Sequence, residues 1–151
     1  MTRYGIDAEV AVRLVREGIV VPSTHQLVGP NVLRSDALSI LYQAYRRGEV
    51  SQDDATALLD GITSMRVRLL GDRVSRAVAW KVAEQLGWAD IRKAEYIAVA
   101  KLQADAFVTL DADLRKQVRG IVATVPFKTL AAASSAESLP PLVAMATRFG
   151  R

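Results

Sequence analysis

Apolar side chains recur at helical spacing most clearly between Pro30 and Gly48. In this stretch they stand at i, i+4, i+7, i+8 and i+11, at Leu33, Ala37, Ile40, Leu41 and Ala44. This spacing puts them on one face of an α-helix, and Gly48 follows as a C-terminal stop. The pattern therefore predicts an amphipathic helix that packs this face against a core.

Shorter apolar runs alternate with further helical stretches along the rest of the chain. The runs predict strands at residues 3–6, 67–70, 106–110 and 121–125. Helices are predicted around residues 10–15, over 52–65, along the stripe 74–86, through the apolar run 96–100 and over 112–118. The stretch between Pro22 and Pro30 is predicted to be a connection. Because strands separated by helices require crossover connections, the pattern predicts a three-layer α/β/α fold with a central parallel sheet.

The composition of the chain changes once, near Lys128. Residues 130–151 are rich in alanine and serine, contain Pro140 and Pro141, and include a short apolar segment at residues 142–149. Proline and small polar residues are typical of linkers. We therefore expect one compact domain, residues 1–129, followed by a C-terminal extension made of a loose linker and the apolar segment.

The overall composition narrows the class of protein. Half of the 151 residues are apolar and none is cysteine, which excludes wholesale disorder, disulfide frameworks and thiolate metal sites. No apolar run approaches the roughly 20 residues of a membrane-spanning helix and no signal peptide opens the chain, so we expect a cytoplasmic protein without a membrane partner. The net charge of +4 and the pI near 9.7 favour a polyanionic partner. An arginine-rich solvated surface would give the same values.

Two aspartates directly follow predicted strands. Asp7 follows the strand at residues 3–6, and Asp111 follows the strand at residues 106–110. In open parallel sheets the binding crevice lies beyond the carboxyl ends of the strands, so both side chains are candidates for one site. Aspartate is also a common helix N-cap, and both residues precede predicted helices. Asp36, in the first turn of the amphipathic helix, lies at the border of its apolar face and is a third candidate.

Several short motifs follow one another in a recognisable order. Residues 4–8, Tyr-Gly-Ile-Asp-Ala, form a strand that ends in an acid, and residues 28–38 contain a proline followed by an acid at a helix start. Residues 93–100 and 107–111 are similar to the segments Asp-Ala-x-Tyr-x-Ala-Leu-Ala and Val-Thr-x-Asp. In their order and spacing these stretches resemble the PIN domains, particularly the VapC-like toxins of bacterial toxin–antitoxin pairs. Asp36 stands where that family usually has glutamate.

The resemblance covers residues 1–129 and implies a Mg²⁺- or Mn²⁺-dependent endoribonuclease that is the toxin of a toxin–antitoxin pair. It implies that Asp7, Asp36 and Asp111 are the catalytic residues and the metal ligands. It also implies an RNA substrate, a homodimer and a small antitoxin protein as partners. The chemistry agrees with the residue types, because hard divalent cations prefer oxygen ligands and lower the pKa of an attacking water.

The chain departs from the family pattern at one acidic position, where Lys93 stands directly before Ala94. Three accounts of this change are open. Asp90, one turn upstream, supplies the missing metal ligand, although it is also a candidate N-cap. Alternatively, the Lys93 ammonium stands among the aspartates in place of a metal ion. In the third account, one metal ion is held by the three remaining acids.

An alternative function follows from the same departure. A PIN-like module that has lost catalysis through Lys93 would bind a protein partner or RNA without cleaving it. Its acidic pocket could receive an arginine of the partner, which is a good bidentate match for paired carboxylates. Metal binding distinguishes the two functions, because the nuclease has to hold Mg²⁺ or Mn²⁺ and the degenerate module does not.

Other residues are candidates for contacts with the substrate. Arg34, Arg92 and Arg115 flank the acids in sequence and suit contacts with phosphates, although each also suits a solvated surface. Trp80 and Trp88 are assigned to the core or to a dimer surface rather than to base stacking.

Overall fold

The computed structural model describes residues 1–132 of the chain. In this part, strands alternate with α-helices, and a short 3-10 helix comes last. The elements are β1 (Thr2–Ile6), α1 (Ala8–Arg16), β2 (His25–Pro30), α2 (Leu33–Arg46), α3 (Gln52–Ser64), β3 (Val67–Leu70), α4 (Arg73–Leu86), α5 (Arg92–Gln103), β4 (Ala106–Val108), α6 (Ala112–Gln117) and the 3-10 helix Phe127–Ala131.

The strands form one parallel sheet in the order β3-β2-β1-β4. The chain moves from β1 to β2 to β3 in one direction and then returns across the sheet to β4. Since crossover connections are right-handed, this reversal puts α4 and α5 on the face opposite the helices of the first two connections. The predicted three-layer α/β/α fold with a central parallel sheet is therefore confirmed.

A glycine in the central strand allows α5 to pack closely against the sheet. A Cβ added at Gly5 would lie 2.8 Å from the Cβ of Ala100 in α5. Gly5 is in register with Val28 of β2, which is in register with Arg68 of β3. Side chains in register point to the same face, so Val28 and Arg68 lie on the α5 side of the sheet. Helix α4 packs beside α5 on this side.

One strand was not predicted. The stretch between Pro22 and Pro30 was expected to be a connection, but residues His25–Pro30 form β2, which pairs with both β1 and β3. The strand contains only one short apolar pair, Leu27 and Val28. A run of two residues cannot show the alternation that identifies a strand in a sequence. Pro30 is tolerated because it ends the strand, and the next N–H, of Asn31, donates to Leu70 O at 3.1 Å instead.

One predicted strand is absent from the described residues. Residues 121–125 make only an isolated parallel bridge between Phe107 and Thr124 beside β4. Phe107 N donates to Ala123 O at 2.8 Å and Val125 N donates to Phe107 O at 3.2 Å. The apolar run therefore lies beside β4 at the edge of the sheet. Strand β4 ends at Val108 rather than at the predicted Leu110, so its edge is too short for a regular ladder of β-sheet hydrogen bonds.

The predicted helices are present, but the buried face agrees with the predicted apolar positions more closely in α2 than in α4. In α2 the predicted face is buried at Leu33, Ala37, Leu41 and Ala44. In α4 the predicted stripe was wrong at Val74, which is 57 % exposed. This helix buries Val82 of the predicted stripe together with the small side chains of Ser75, Ala79 and Ala83. Small residues allow α4 to approach α5 closely, so spacing of the larger apolar residues alone misplaced its buried face.

The last described residues pack against the N-terminal ends of the strands. Leu130 is fully buried, and His25 Nε2 lies 2.6 Å from Ala132 O. The guanidinium of Arg13 stacks over the ring of Phe127 at 4.2 Å. The predicted apolar segment at residues 142–149 lies outside the described residues. No helix among residues 1–132 is long and apolar enough to cross a membrane.

Candidate active site

A cleft of about 730 Å³ opens beyond the carboxyl ends of β1 and β4. The three aspartates predicted from the sequence all line it, and they come from three different parts of the chain. Asp7 follows β1, Asp36 lies in the first turn of α2, and Asp111 follows β4. The other lining residues are Ala8, Glu9, Ser39, Ile40, Gln43, Trp88, Ala89, Asp90, Arg92, Lys93, Tyr96, Thr109, Leu114 and Gln117.

Asp7 is the N-cap of α1 and also lines the cleft. Its Oδ1 accepts a hydrogen bond from Val10 N at 3.0 Å, which is the N-cap bond. Its Oδ2 accepts one from the Thr109 hydroxyl at 2.7 Å. Burial raises the pKa of this carboxyl, and the hydrogen bonds from Thr109 and Val10 offset only part of the effect. Both roles considered for Asp7 from the sequence are therefore compatible in one side chain.

Asp36 is held by a tyrosine from the opposite wall of the cleft. The Tyr96 hydroxyl donates to Asp36 Oδ2 at 2.6 Å, which joins α2 to α5. Burial, followed by this hydrogen bond, raises the pKa of Tyr96 far above its ordinary value. The phenol therefore remains a donor at any ordinary pH. Sequence reasoning did not assign this role to Tyr96, although a lone phenol inside the apolar run 96–100 was a usable signal.

Asp111 lies at the rim and faces a lysine. Its Oδ1 accepts hydrogen bonds from Asp113 N and Leu114 N at 3.0 and 3.1 Å, so it caps α6. Its Oδ2 lies 4.0 Å from Lys93 Nζ. Both side chains are about half exposed, and an ion pair at this distance in solvent contributes little to stability. The lysine therefore occupies the cleft without being fixed to Asp111.

Asp90 lies in the lining of the cleft, but its charge is engaged by a neighbour. Asp90 Oδ2 accepts a hydrogen bond from Arg92 Nη2 at 3.1 Å, and Asp90 Oδ1 accepts one from Arg92 N at 2.7 Å. The hydrogen bonds from Arg92 lower the pKa of Asp90. Both side chains are exposed. Asp90 therefore faces its own arginine rather than the other acids.

The donor chemistry of the cleft suits a hydrated ion better than a dedicated metal cage. Within residues 1–132, no group of three or more His, Cys, Asp or Glu side chains is close enough to hold a metal ion. Thr109 connects Asp7 with Asp111, because its hydroxyl donates to the first and accepts from the backbone N–H of the second at 3.2 Å. Mg²⁺ usually keeps several waters beside one or two carboxylates, and a carboxylate pair fits that need.

Other residues singled out in the sequence are placed differently. Arg115 Nη1 donates to Thr109 O at 3.2 Å and so braces the end of β4, whereas Arg34 Nη2 reaches Thr63 O at 3.4 Å, between α2 and α3. Trp88 lines the cleft and is partly buried. Trp80 does not belong to the core of the described chain, because it is 66 % exposed on α4. A dimer surface for Trp80 stays a prediction.

Comparison with known proteins supports the fold. No protein-family model matches the chain, and no curated protein matches it. Among solved structures, the chain is similar to the crystal structure of PAE2754 from Pyrobaculum aerophilum, with a TM-score of 0.67 and 22% sequence identity. The similarity covers 86% of this chain and 93% of that one. At this level of identity the likeness extends to the arrangement of helices and strands.

Proposed function

We propose that this chain is a divalent-metal-dependent endoribonuclease of the PIN-domain type. One observation carries the proposal. Asp7 and Asp36 line the same cleft, each is bonded to a hydroxyl, and neither forms an ion pair with any lysine or arginine of residues 1–132. Burial of the Asp7 carboxylate without a cation is costly, so the cleft favours a bound cation.

The residues present support one ion in this cleft. Asp7 and Asp111, which Thr109 connects, would hold it, and Asp36 would reach it through water. When bound, Mg²⁺ or Mn²⁺ supplies an acidified water and neutralises charge on a phosphodiester. Asp90 is not proposed as a metal ligand, because its carboxylate accepts hydrogen bonds from Arg92.

The remaining side chains of the cleft have roles that suit a phosphodiester substrate. The Lys93 ammonium, which is exposed and only loosely paired, can bind a non-bridging phosphate oxygen. Thr109 and Tyr96 each hold one carboxylate oxygen and so fix the orientation of Asp7 and Asp36. Lys93 then provides the positive charge that a second metal ion would otherwise supply, which agrees with its place among the acids.

The biological setting is proposed on the sequence resemblance alone. The stretches that resemble VapC-like toxins include Asp7, Asp36, Tyr96 and Asp111, all of which line the cleft. We accordingly propose a cytoplasmic toxin that cleaves RNA, forms a homodimer and is inhibited by a small antitoxin protein.

A second function is favoured by one specific observation. Lys93 Nζ lies 4.0 Å from Asp111 Oδ2, so the ammonium already occupies part of the space a metal ion would need. If Lys93 neutralises the cleft permanently, the chain is a catalytically degenerate PIN-like module. Such a module would use the carboxylates to bind a basic group of a protein partner or would bind RNA without cleaving it.

Calorimetric titration with Mn²⁺ and Mg²⁺ distinguishes the two functions. We expect the wild-type chain to bind one ion, Asp7→Asn to lose that binding, and Asp72→Asn to retain it. Asp72 is a matched control, because it also caps a helix by accepting a hydrogen bond at its side chain but lies outside the cleft. A wild-type chain that binds no metal, together with a Lys93→Asp variant that does, would refute the nuclease and support the degenerate module.

A further inference from the structure

The positive charge of the chain is concentrated at one edge of the sheet. Residues 65–81 contain five lysines and arginines against a single carboxylate, which equals the entire net charge of +4. The stretch comprises edge strand β3 and most of helix α4. The single acid, Asp72, is engaged as the N-cap of α4, where it accepts a hydrogen bond from Ser75 N at 2.8 Å. The remaining cations are therefore not neutralised locally.

The arginines of β3 and of α4 lie on the same side of the molecule. Arg68 points to the face of the sheet that α5 and α4 cover, as the register with Gly5 shows. Arg66 lies directly before β3, two residues from Arg68. On α4, Arg73, Arg76 and Trp80 fall within about 60° of one another at 100° per residue. Arg76 lines a small cavity with Leu70 of β3, which identifies this flank of α4 as the one beside the strand.

These side chains are free to meet a ligand. Arg66, Arg68, Arg73 and Arg76 are exposed and form no ion pair with any acid of residues 1–132. Glu95 shares the cavity of Arg76 but is not paired with it. Trp80, in the same stripe, is 66 % exposed. An indole of this exposure among unpaired arginines provides a stacking surface beside cations, the combination that single-stranded nucleic acids require.

We propose that the β3–α4 arginine surface, formed by Arg66, Arg68, Arg73, Arg76 and Trp80, binds single-stranded nucleic acid. The arginines contact backbone phosphates and Trp80 stacks on a base. The proposal deepens the proposed function, on which it rests for the choice of RNA, by giving the substrate a binding surface outside the cleft. The cleft and the end of β3 lie at the same edge of the sheet, because β3 ends at the same carboxyl edge as β1 and β4.

The geometry also accounts for how the two sites would be linked. Arg73 and Arg76 lie at the start of α4, directly after β3, so they stand at the same end of the strands as Asp7 and Asp111. Two strand spacings, about 10 Å in total, separate β1 from β3. That distance is comparable to one or two nucleotides of an extended strand. An RNA segment can therefore lie across the strand ends with one part in the cleft and the next part on the arginines.

Binding is tested by fluorescence anisotropy with a labelled 20-nucleotide single-stranded RNA in EDTA, which prevents metal-dependent cleavage. The test variant is Arg66→Gln/Arg68→Gln/Arg73→Gln, which removes three exposed charges. The matched control is Lys101→Gln/Lys128→Gln/Arg119→Gln, which removes three exposed charges that lie outside both surfaces. Each phosphate contact contributes about 0.7 to the slope of log affinity against log salt for a single strand.

We expect the test variant to lower that slope by about 2 and the control to leave it unchanged within about 0.5. Trp80→Ala should weaken binding on the order of tenfold at constant slope, because it removes stacking but no charge. Equal slopes for wild type, test variant and control would overturn the proposal, as would binding of an acidic protein partner without any binding of RNA.

Failure of the proposed function gives a different result. If wild type binds RNA through the arginines but never cleaves it in Mn²⁺, the β3–α4 arginine surface stands and the nuclease does not. If a four-nucleotide RNA is cleaved equally by wild type and the triple variant, and the 20-nucleotide RNA is bound equally by both, the nuclease stands and the surface does not.

Discussion

Replacing Asp7 by asparagine is predicted to stabilise the metal-free chain. Burial raises the pKa of the Asp7 carboxyl in the folded state, so its ionised form lowers the free energy of unfolding. The cost is absent below the ordinary pKa of aspartate, about 3.9, grows as the pH rises through the raised folded pKa and is complete above it. Asparagine carries no charge, and it caps helices about as well as aspartate. The variant therefore keeps the hydrogen bond from Val10 N and removes the buried charge. The Thr109 hydroxyl, which donates to Asp7 Oδ2, loses that acceptor, and this reduces the gain.

The gain is expected to be modest. Neutralising Asp7 also gives up the favourable interaction of a negative charge with the N-terminus of α1, about 0.3–1 kcal/mol. Single stabilising substitutions commonly gain about 0.5–2 kcal/mol, and we expect the net effect to fall at the lower end of that range. For a chain of this size that corresponds to a rise in Tm of roughly 2–4 °C per kcal/mol. Metal should reverse the order, because Mg²⁺ at one hundred times its Kd would stabilise wild type alone by about 2.7 kcal/mol.

The assay is urea unfolding in EDTA at pH 7.5 and pH 4.5, followed by tryptophan fluorescence, since Trp88 lines the cleft. Asp7→Asn should exceed wild type in free energy of unfolding at pH 7.5 and approach it at pH 4.5. Asp72→Asn is the matched control with the opposite sign. The hydrogen bond from Ser75 N lowers the pKa of Asp72, so its ionised form contributes stability that is lost as the pH falls. A less stable Asp7→Asn chain at pH 7.5 would refute the reasoning.

Three further substitutions test the packing and the cleft. Tyr96→Phe removes the hydroxyl bonded to Asp36 and should lower the free energy of unfolding by about 1.5–3 kcal/mol in urea titrations; an unchanged value would mean that the bond does not form in solution. Gly5→Ala should lower the free energy of unfolding in urea by about 1–3 kcal/mol, because the added Cβ would lie 2.8 Å from the Cβ of Ala100 in α5. The control Gly120→Ala has open space around the added Cβ and should leave that free energy nearly unchanged. Lys93→Gln should raise calorimetric Mn²⁺ affinity about two- to fivefold, as an exposed cation stops competing; equal affinity would show that the ammonium stays clear of the ion.

Most of the fold could be predicted because its helices have clear periods and its capping residues are explicit. The stretches predicted at 67–70 and 112–118 became β3 and α6, and the N-cap candidates Asp7 and Asp111 cap α1 and α6. Strand β2 was missed because a two-residue apolar run carries no period. The strand predicted at residues 121–125 was wrong. The hydrophobicity of this run indicates burial beside β4, but it does not give the length of the β4 edge that is available for pairing.

The candidate site was predictable in its acids and not in what holds them. Asp7 and Asp111 follow strands, and the rule for parallel sheets brings such residues together. The hydroxyl of Tyr96 on Asp36 depends on how α2 faces α5 across the cleft, which no local pattern encodes. The pairing of Asp90 with Arg92 likewise depends on side-chain rotamers two residues apart. The prediction that three aspartates hold a metal ion remains a prediction.

The most direct test of the nuclease is cleavage of RNA by the purified chain. A circular single-stranded RNA should be opened in Mn²⁺ or Mg²⁺ by wild type and by Asp72→Asn, and left intact by Asp7→Asn and by wild type in EDTA. Circular substrate restricts the readout to endonuclease activity. If wild type leaves the RNA intact with metal present, or if Asp7→Asn cleaves it as fast as wild type, the cleft is not the site of a metal-dependent endoribonuclease.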